Sequence, residues 1–242
     1  MGNVSLIIGV IVFISGEDQR REAEIYQAWQ VITAAHNQAG SGGRKEALEF
    51  LNSEPRRTPW FWMRWERQSL QGLEAPKAYL KGIQLSEADL GRANLQQANL
   101  GRANLQQAYL LRTNLQQASL WGANLQQAYL LEANLQQAYL WGANLQQAYL
   151  EYANLQQVNL GYANLQQAYL IGADLQQAYL IGADLQQSFY TDETTSEAAC
   201  NKVSITPSYP CPTKFPEGFN PKAAGMKLIK EVEDIPIREW EQ

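Results

Sequence analysis

Histidine occurs once, as His36, and cysteine twice, as Cys200 and Cys211. His36 alone makes neither a catalytic triad nor a His-rich metal site; beside a glycine turn it reads as a polar surface or capping group. Two cysteines without a C-x-x-C spacing, and with one distant histidine, do not make a zinc centre. The glycine-rich nucleotide and phosphate loops are missing, as are G-x-S-x-G and H-E-x-x-H. Charge is sparse as well: 18% of the 242 residues, for a net of −5, with no basic stripe for nucleic acid. No apolar run reaches the ~20 residues of a bilayer-spanning helix. These absences leave no expected catalytic residue, cofactor site or metal site, and an enzyme is the weakest class.

What is present is repetition. Leucine recurs at every fifth position from Leu80 to Leu185, 22 units in all, with Tyr190 as a degraded next one. Two places before each Leu stands Ala, except at Ile83, Thr113 and Val158, and Ser188 ends the series. A period of five fits neither a 3.6-residue helix nor strand alternation, so the repeat has to be recognised before any periodicity is read.

Tandem units such as Ala93-Asn94-Leu95, Ala143-Asn144-Leu145 and Ala183-Asp184-Leu185 resemble the A(D/N)LXX pattern of the pentapeptide-repeat family. That resemblance implies an all-β solenoid, a right-handed quadrilateral β-helix with four units per coil, Leu and the small residue inside and three positions outside. A square coil holding four leucines per layer has no room for a second large side chain, which accounts for the alanines. The organisation expected is an apolar segment at 1–16, a helical and aromatic cap region at 17–77, the β-helix at 78–190, and a C-terminal cap and tail at 191–242.

Outside positions carry a second period. Ala-Asn-Leu-Gln-Gln alternates with a variable unit, so a coil of twenty residues has two amide faces opposite one another and two variable faces between them. Identical amides stacked on a solenoid can form hydrogen-bonded ladders. On one variable face, the tyrosine face, Tyr109, Tyr129, Tyr149, Tyr169 and Phe189 align beside Leu111, Leu131 and Ile171. On the other, the tryptophan face, Ser119, Tyr139 and Tyr179 align beside Trp121, Trp141 and Ile181. Stacked aromatics support one another across strands, whereas contiguous exposed apolar surface marks an interaction site. The candidate surface is therefore Tyr109, Leu111, Trp121, Tyr129, Leu131, Tyr139, Trp141, Tyr149, Tyr169 and Ile171.

Upstream, 17–37 reads as a helix with Ile25, Ala28, Trp29, Ile32 and Ala35 on one face, broken by the glycines at 40–43 and followed by a short helix at 44–52. Trp60, Phe61, Trp62 and Trp65 are expected to cover the open end of the coil. The segments 24–44 and 64–80 resemble those preceding the repeats in cyanobacterial members of the family, where such a segment commonly follows transmembrane helices. That resemblance and the apolar run from Val4 to Ile14 point to a membrane anchor, with Arg20 and Arg21 on the cytoplasmic side; a soluble cytoplasmic chain is the alternative. Downstream, Thr213 to Pro221 with Ala224 to Met226 resembles the family's terminal segment, making Phe215, Phe219 and Met226 end-cap residues. Thr195 to Pro212, which holds both cysteines, reads as an insertion, and Lys227 to Gln242 as a charged, fraying tail.

The expected function is a non-enzymatic scaffold, a rod held at a membrane that binds an unidentified protein partner through its aromatic faces, with oligomeric state open. A branch of the family mimics DNA and acts on a topoisomerase. Mimicry needs dense negative charge, and the repeats carry four cations against six acids, a net of −2.

Overall fold

A computed structural model describes residues 19–35, 43–53, 67–196 and 212–235. The segments Val4–Ile14, His36, Trp60 to Trp65, Cys200 and Cys211 lie outside them.

Buried backbone N–H groups must find acceptors, and one repeat unit shows how the coil provides them. In Ala93 to Gln97, Ala93 N–H closes the corner turn on Leu90 O at 3.0 Å. Asn94 N–H donates to Leu73 O in the coil before, while Leu95 and Gln97 donate to Asn114 O and Gln116 O in the coil after, all at 2.8–2.9 Å. The fifth group, Gln96 N–H, faces no neighbouring carbonyl and donates to the Asn94 side chain, Oδ1, at 3.3 Å. The asparagine before each Leu is thus a backbone acceptor, and the same bond recurs at Asn114, Asn134, Asn154 and Asp174.

Parallel bridges link residues twenty apart, such as Asn94↔Asn114 and Tyr109↔Tyr129, so four units make one coil of a right-handed quadrilateral β-helix. Each corner needs a left-handed residue in its second place. Glycine takes it freely at Gly122 and Gly142, but most corners hold Gln, Arg or Glu at φ 55–60°. That conformation costs an L-residue roughly 1–2 kcal/mol, so the surrounding ladder must hold it. Inside, Leu80 to Leu175 at every fifth position are essentially inaccessible, as are the alanines between them. Each buried Leu contributes roughly 1.5–3 kcal/mol.

The coil begins ten residues before the expected boundary at 78. Leu70 N–H donates to Asp89 O and Glu74 pairs with Asn94, which puts Gln68 to Lys77 in register. These units escape the pattern because Gln68 takes the small site of the first, and in the second Leu73 fills the small site and Ala75 the Leu site. Ahead of them stand α1 (19–34) and α2 (Arg44–Leu51). Ala28, Ile32, Leu48 and Leu51 join the coil core without a break. Helix α2 is fastened to the first coil by Leu51 O accepting from Gln68 N–H, by Glu49 Oε1 accepting from Gln84 N–H and by Asn52 Nδ2 donating to Ser86 O. This covers the N-terminal rung.

At the other end Tyr190 occupies a Leu site and is buried. The next rung on the adjoining amide face is Lys214, which pairs with Asp174 forty residues earlier instead of twenty. The insertion expected at 195–212 therefore sits within a coil, and the coil resumes at Thr213 on its far side. Met226 is buried on the core, with Phe215 and Phe219 packed against it, as the end cap requires.

The tail from Lys227 departs from expectation. Instead of fraying, Lys227–Leu228 forms strand β2, parallel to β1 (Phe189–Tyr190), and a single turn of 3-10 helix follows at Val232–Asp234. Ile229 and Ile235 are buried against Tyr149, Tyr152, Tyr169, Ile171 and Leu131. We call Lys227 to Ile235 the strap. Thr195 Oγ1 donates to Ile229 O and Ser196 N–H to Lys230 O, tying it to the start of the insertion. Asp234 Oδ2 accepts from the backbone N–H of Lys230 and of Glu231, at 3.0 Å each, and these bonds hold its carboxyl below the usual carboxylate range.

Candidate interaction site

The four faces differ in what their outward side chains have left to offer. On the first amide face Gln96, Gln116 and Gln136 each donate through Nε2 to the glutamine one coil on, and a parallel ladder runs from Gln97 to Gln177. On the second, the ladder runs from Gln107 to Gln187. The asparagines bond their own turns, and one Asn-to-Asn bond, Asn144 Nδ2 to Asn124 Oδ1 at 3.4 Å, links coils. Every ladder points the same way. The Gln96–Gln156 ladder ends on a carboxylate, Gln156 donating to Asp174 Oδ2 at 2.9 Å, and on the second face Gln166 donates likewise to Asp184 Oδ2 at 2.6 Å, while each Oδ1 still serves the local turn. An amide there would turn a donor toward a donor, which explains why Asp replaces Asn in the last coil. Asp174 and Asp184 stand on opposite faces and act on no common bond.

On the tyrosine face the rings of Tyr109, Tyr129, Tyr149, Tyr169 and Phe189 stack at 4.7–5.0 Å, nearly parallel at the first two steps. The expectation that this face stands open is corrected over its C-terminal half. Tyr149 is 6% exposed, Tyr169 9% and Ile171 0%, and Leu131 is also buried, because the strap's isoleucines lie in the same apolar cluster. Tyr109 remains exposed, with Leu111 and Tyr129 intermediate. A groove of about 250 Å³ survives between the Tyr149–Phe189 stack and the Gln127–Gln187 ladder, closed at one end by Lys227.

The tryptophan face is open along its length. Among the nine exposed large hydrophobic residues of the described chain, six lie here: Tyr79, Tyr139, Trp141, Tyr162, Tyr179 and Ile181. Tyr162, at 60%, and Ile181, at 53%, are the barest and were not among the residues expected to form the surface. Ile181 continues the Trp141 column in steps of twenty, whereas Tyr162 stands in the neighbouring corner column with Gly122 and Gly142, where a large ring replaces glycine. Trp121 is partly covered, with the Arg102 guanidinium 4.5 Å and Lys81 Nζ 5.2 Å from its ring centroid. Trp141 leans the other way onto Tyr162, with centroids 4.9 Å apart. Glycine on the neighbouring rung receives each indole: a Cβ at Gly101 would collide with Trp121, and one at Gly161 would come within 2.6 Å of Trp141.

No group of three or more His, Cys, Asp or Glu side chains able to hold a metal occurs among the described residues. None of their helices is long and apolar enough to cross a membrane.

Comparison with known proteins bears on this architecture. The family model described as pentapeptide repeats matches over 83–187, in overlapping segments and eight copies. The pentapeptide repeat protein alr5209 from Nostoc Pcc 7120 is 32% identical over 54% of this chain and 84% of its own, with a TM-score of 0.25. The chain belongs to the pentapeptide-repeat family. Another solved member, Rfr23 from the cyanobacterium Cyanothece 51142, is also 32% identical, over 55% of this chain and 69% of its own, at a TM-score of 0.21. QnrB1, a plasmid-mediated fluoroquinolone resistance protein, is 19% identical over 49% of this chain and 75% of its own, at a TM-score of 0.36. A search of curated proteins finds no match. Pentapeptide-repeat proteins are in general non-enzymatic structural or interaction proteins, and the present chain has the repeat scaffold of that family.

Proposed function

We propose that this pentapeptide-repeat protein is a membrane-tethered rod that binds a protein partner through its tryptophan face. The observation that carries the reading is the concentration of exposed Tyr, Trp and Ile on that face while the amide faces spend their polar groups on ladders and the strap covers much of the tyrosine face. Aromatic anchors are the side chains that dominate binding energy at protein interfaces. Tethering rests on the apolar run Val4 to Ile14 and on the likeness of 24–44 to segments that follow transmembrane helices; the repeats then face the cytoplasm.

One experiment in the native host tests both parts. Membranes are sedimented and the rod's neighbours crosslinked, for the parent chain and for Trp141→Gln/Ile181→Gln. The parent is expected in the membrane fraction with a crosslinked protein, and the variant in the same fraction with that protein reduced at least tenfold. Recovery of the parent wholly in the supernatant would sink the tether, and equal crosslinking by both chains would sink the face.

A further inference from the structure

We infer that the protein partner on the tryptophan face is a second copy of this chain, packed antiparallel. The inference rests on the assignment of that face as the binding surface, and it comes from an internal symmetry. Six rungs cross the face, beginning at Tyr79, Asn99, Ser119, Tyr139, Asn159 and Tyr179. Read from either end, they nearly repeat. Tyr79 matches Tyr179, and Asn99 matches Asn159. Gly101 matches Gly161, and Trp121 matches Trp141. At the corners Gly82 matches Gly182 and Gly122 matches Gly142.

Side-chain packing follows the same midline, which falls between the rungs of Trp121 and Trp141. The indoles lean away from it in opposite directions, Trp121 over Gly101 with Arg102 on its ring and Trp141 over Gly161 with Tyr162 on its ring. An isologous pair needs a self-complementary patch. A two-fold axis lying in the interface across this midline would set each rung on its match, columns in register, with the rods running in opposite directions.

Three pairs do not match: Ser119 faces Tyr139 beside the midline, and the other two are informative. Arg102 of one copy meets Tyr162 of the other, and Lys81 meets Ile181, so cations fall on aromatic and aliphatic surface instead of on each other. The face itself has no acidic residue. Along the repeats Lys81, Arg92, Arg102 and Arg112 all precede residue 113, with only Glu87 and Asp89 against them, a net of +2. Glu132, Glu151, Asp174 and Asp184 follow it, a net of −4. Of these charges only Lys81 and Arg102 stand on the tryptophan face; antiparallel pairing keeps them apart from the same cations of the other copy, whereas parallel pairing would bring them together. End-to-end stacking has no free rung, because α2 covers one end and the Phe215–Met226 cap the other.

Six rungs at about 4.8 Å make a strip only about 25 Å long and one face wide, small against the ~1,000 Å² of a stable specific interface, so a weak pair with dissociation in roughly the micromolar range or above is expected. Sedimentation equilibrium of the full chain in a non-denaturing detergent should show a protein mass rising with concentration from 27.3 kDa toward twice that value. Trp141→Gln/Ile181→Gln should shift the midpoint at least tenfold upward. Orientation is read by oxidation in a Cys200→Ser/Cys211→Ser background. Asn99→Cys/Asn159→Cys places its thiols three rungs apart in one chain, about 14 Å, beyond the ~7 Å reach of a disulfide, so no disulfide closes within a chain; antiparallel copies set each thiol against the other position of the partner and should give a covalent dimer. Either single cysteine should give none. A constant mass of 27.3 kDa across the whole range overturns the inference yet leaves the scaffold free to bind a different protein. Dimers that crosslink through Asn99→Cys alone overturn the antiparallel arrangement.

Discussion

An amide face and an aromatic face of the same coil lie over the same leucine core, yet they close their hydrogen bonds differently. Where Asn precedes Leu, its Oδ1 takes the one backbone N–H that no neighbouring coil can accept, and the glutamines beyond it are laced to the next coil. Where Tyr precedes Leu, that local acceptor is given up for ring stacking or for exposed aromatic surface. The amide faces are therefore finished surfaces, and the aromatic faces are the ones that need a cover. One has found it within the chain, in the strap; the other has not.

If the faces differ only outside the core, Leu145→Ala beneath an amide face and Leu140→Ala beneath the tryptophan face should destabilise alike, by about 2–5 kcal/mol each. Both side chains are essentially inaccessible. Equilibrium unfolding in urea measures this, and a difference well above 1 kcal/mol would show that the outer ladders stiffen one wall more than another. Next in size, Asn134→Ala should cost about 1–3 kcal/mol by leaving Gln136 N–H without its acceptor, whereas Tyr139→Ala, on an exposed ring, should stay within roughly 0.5 kcal/mol. Equal losses would remove the distinction between finished and open faces.

The smallest effect concerns the strap. The Asp234 carboxyl is held low by backbone donors in the folded chain, so what it contributes is fully present above its ordinary value of 3.8 and is lost as pH falls through the lower folded value. Hydrogen exchange at Lys230 and Glu231 should accelerate below that range relative to the laddered coil, and Asp234→Asn should show the acceleration at neutral pH. Protection that does not change with pH would mean that the isoleucines alone hold the strap.

Much of this was legible in the chain. The fivefold leucines located the core, the tenfold alternation sorted the faces, and the small-residue exceptions Thr113 and Ser188 are both buried as their site demands. The first two units were hidden because Gln68 stands at the small site of one, while in the other Leu73 and Ala75 exchange large and small sites, so the pattern breaks there while the volume is kept. The strap was hidden because Lys227 to Ile235 reads as charged. Ile229 and Ile235 matter only once two apolar columns on the tyrosine face are seen to need burial. The role of Asn required an accounting of N–H groups, which no residue pattern displays.

The alternation of faces has a consequence for how such a chain can change its length. Gain or loss of a single unit would rotate everything downstream by a quarter turn, setting tyrosine over glutamine and breaking each ladder. Ten residues would restore the chemistry but carry the strap's docking columns onto the tryptophan side. Only steps of twenty leave every column continuous, so the length of this rod is quantised in whole coils.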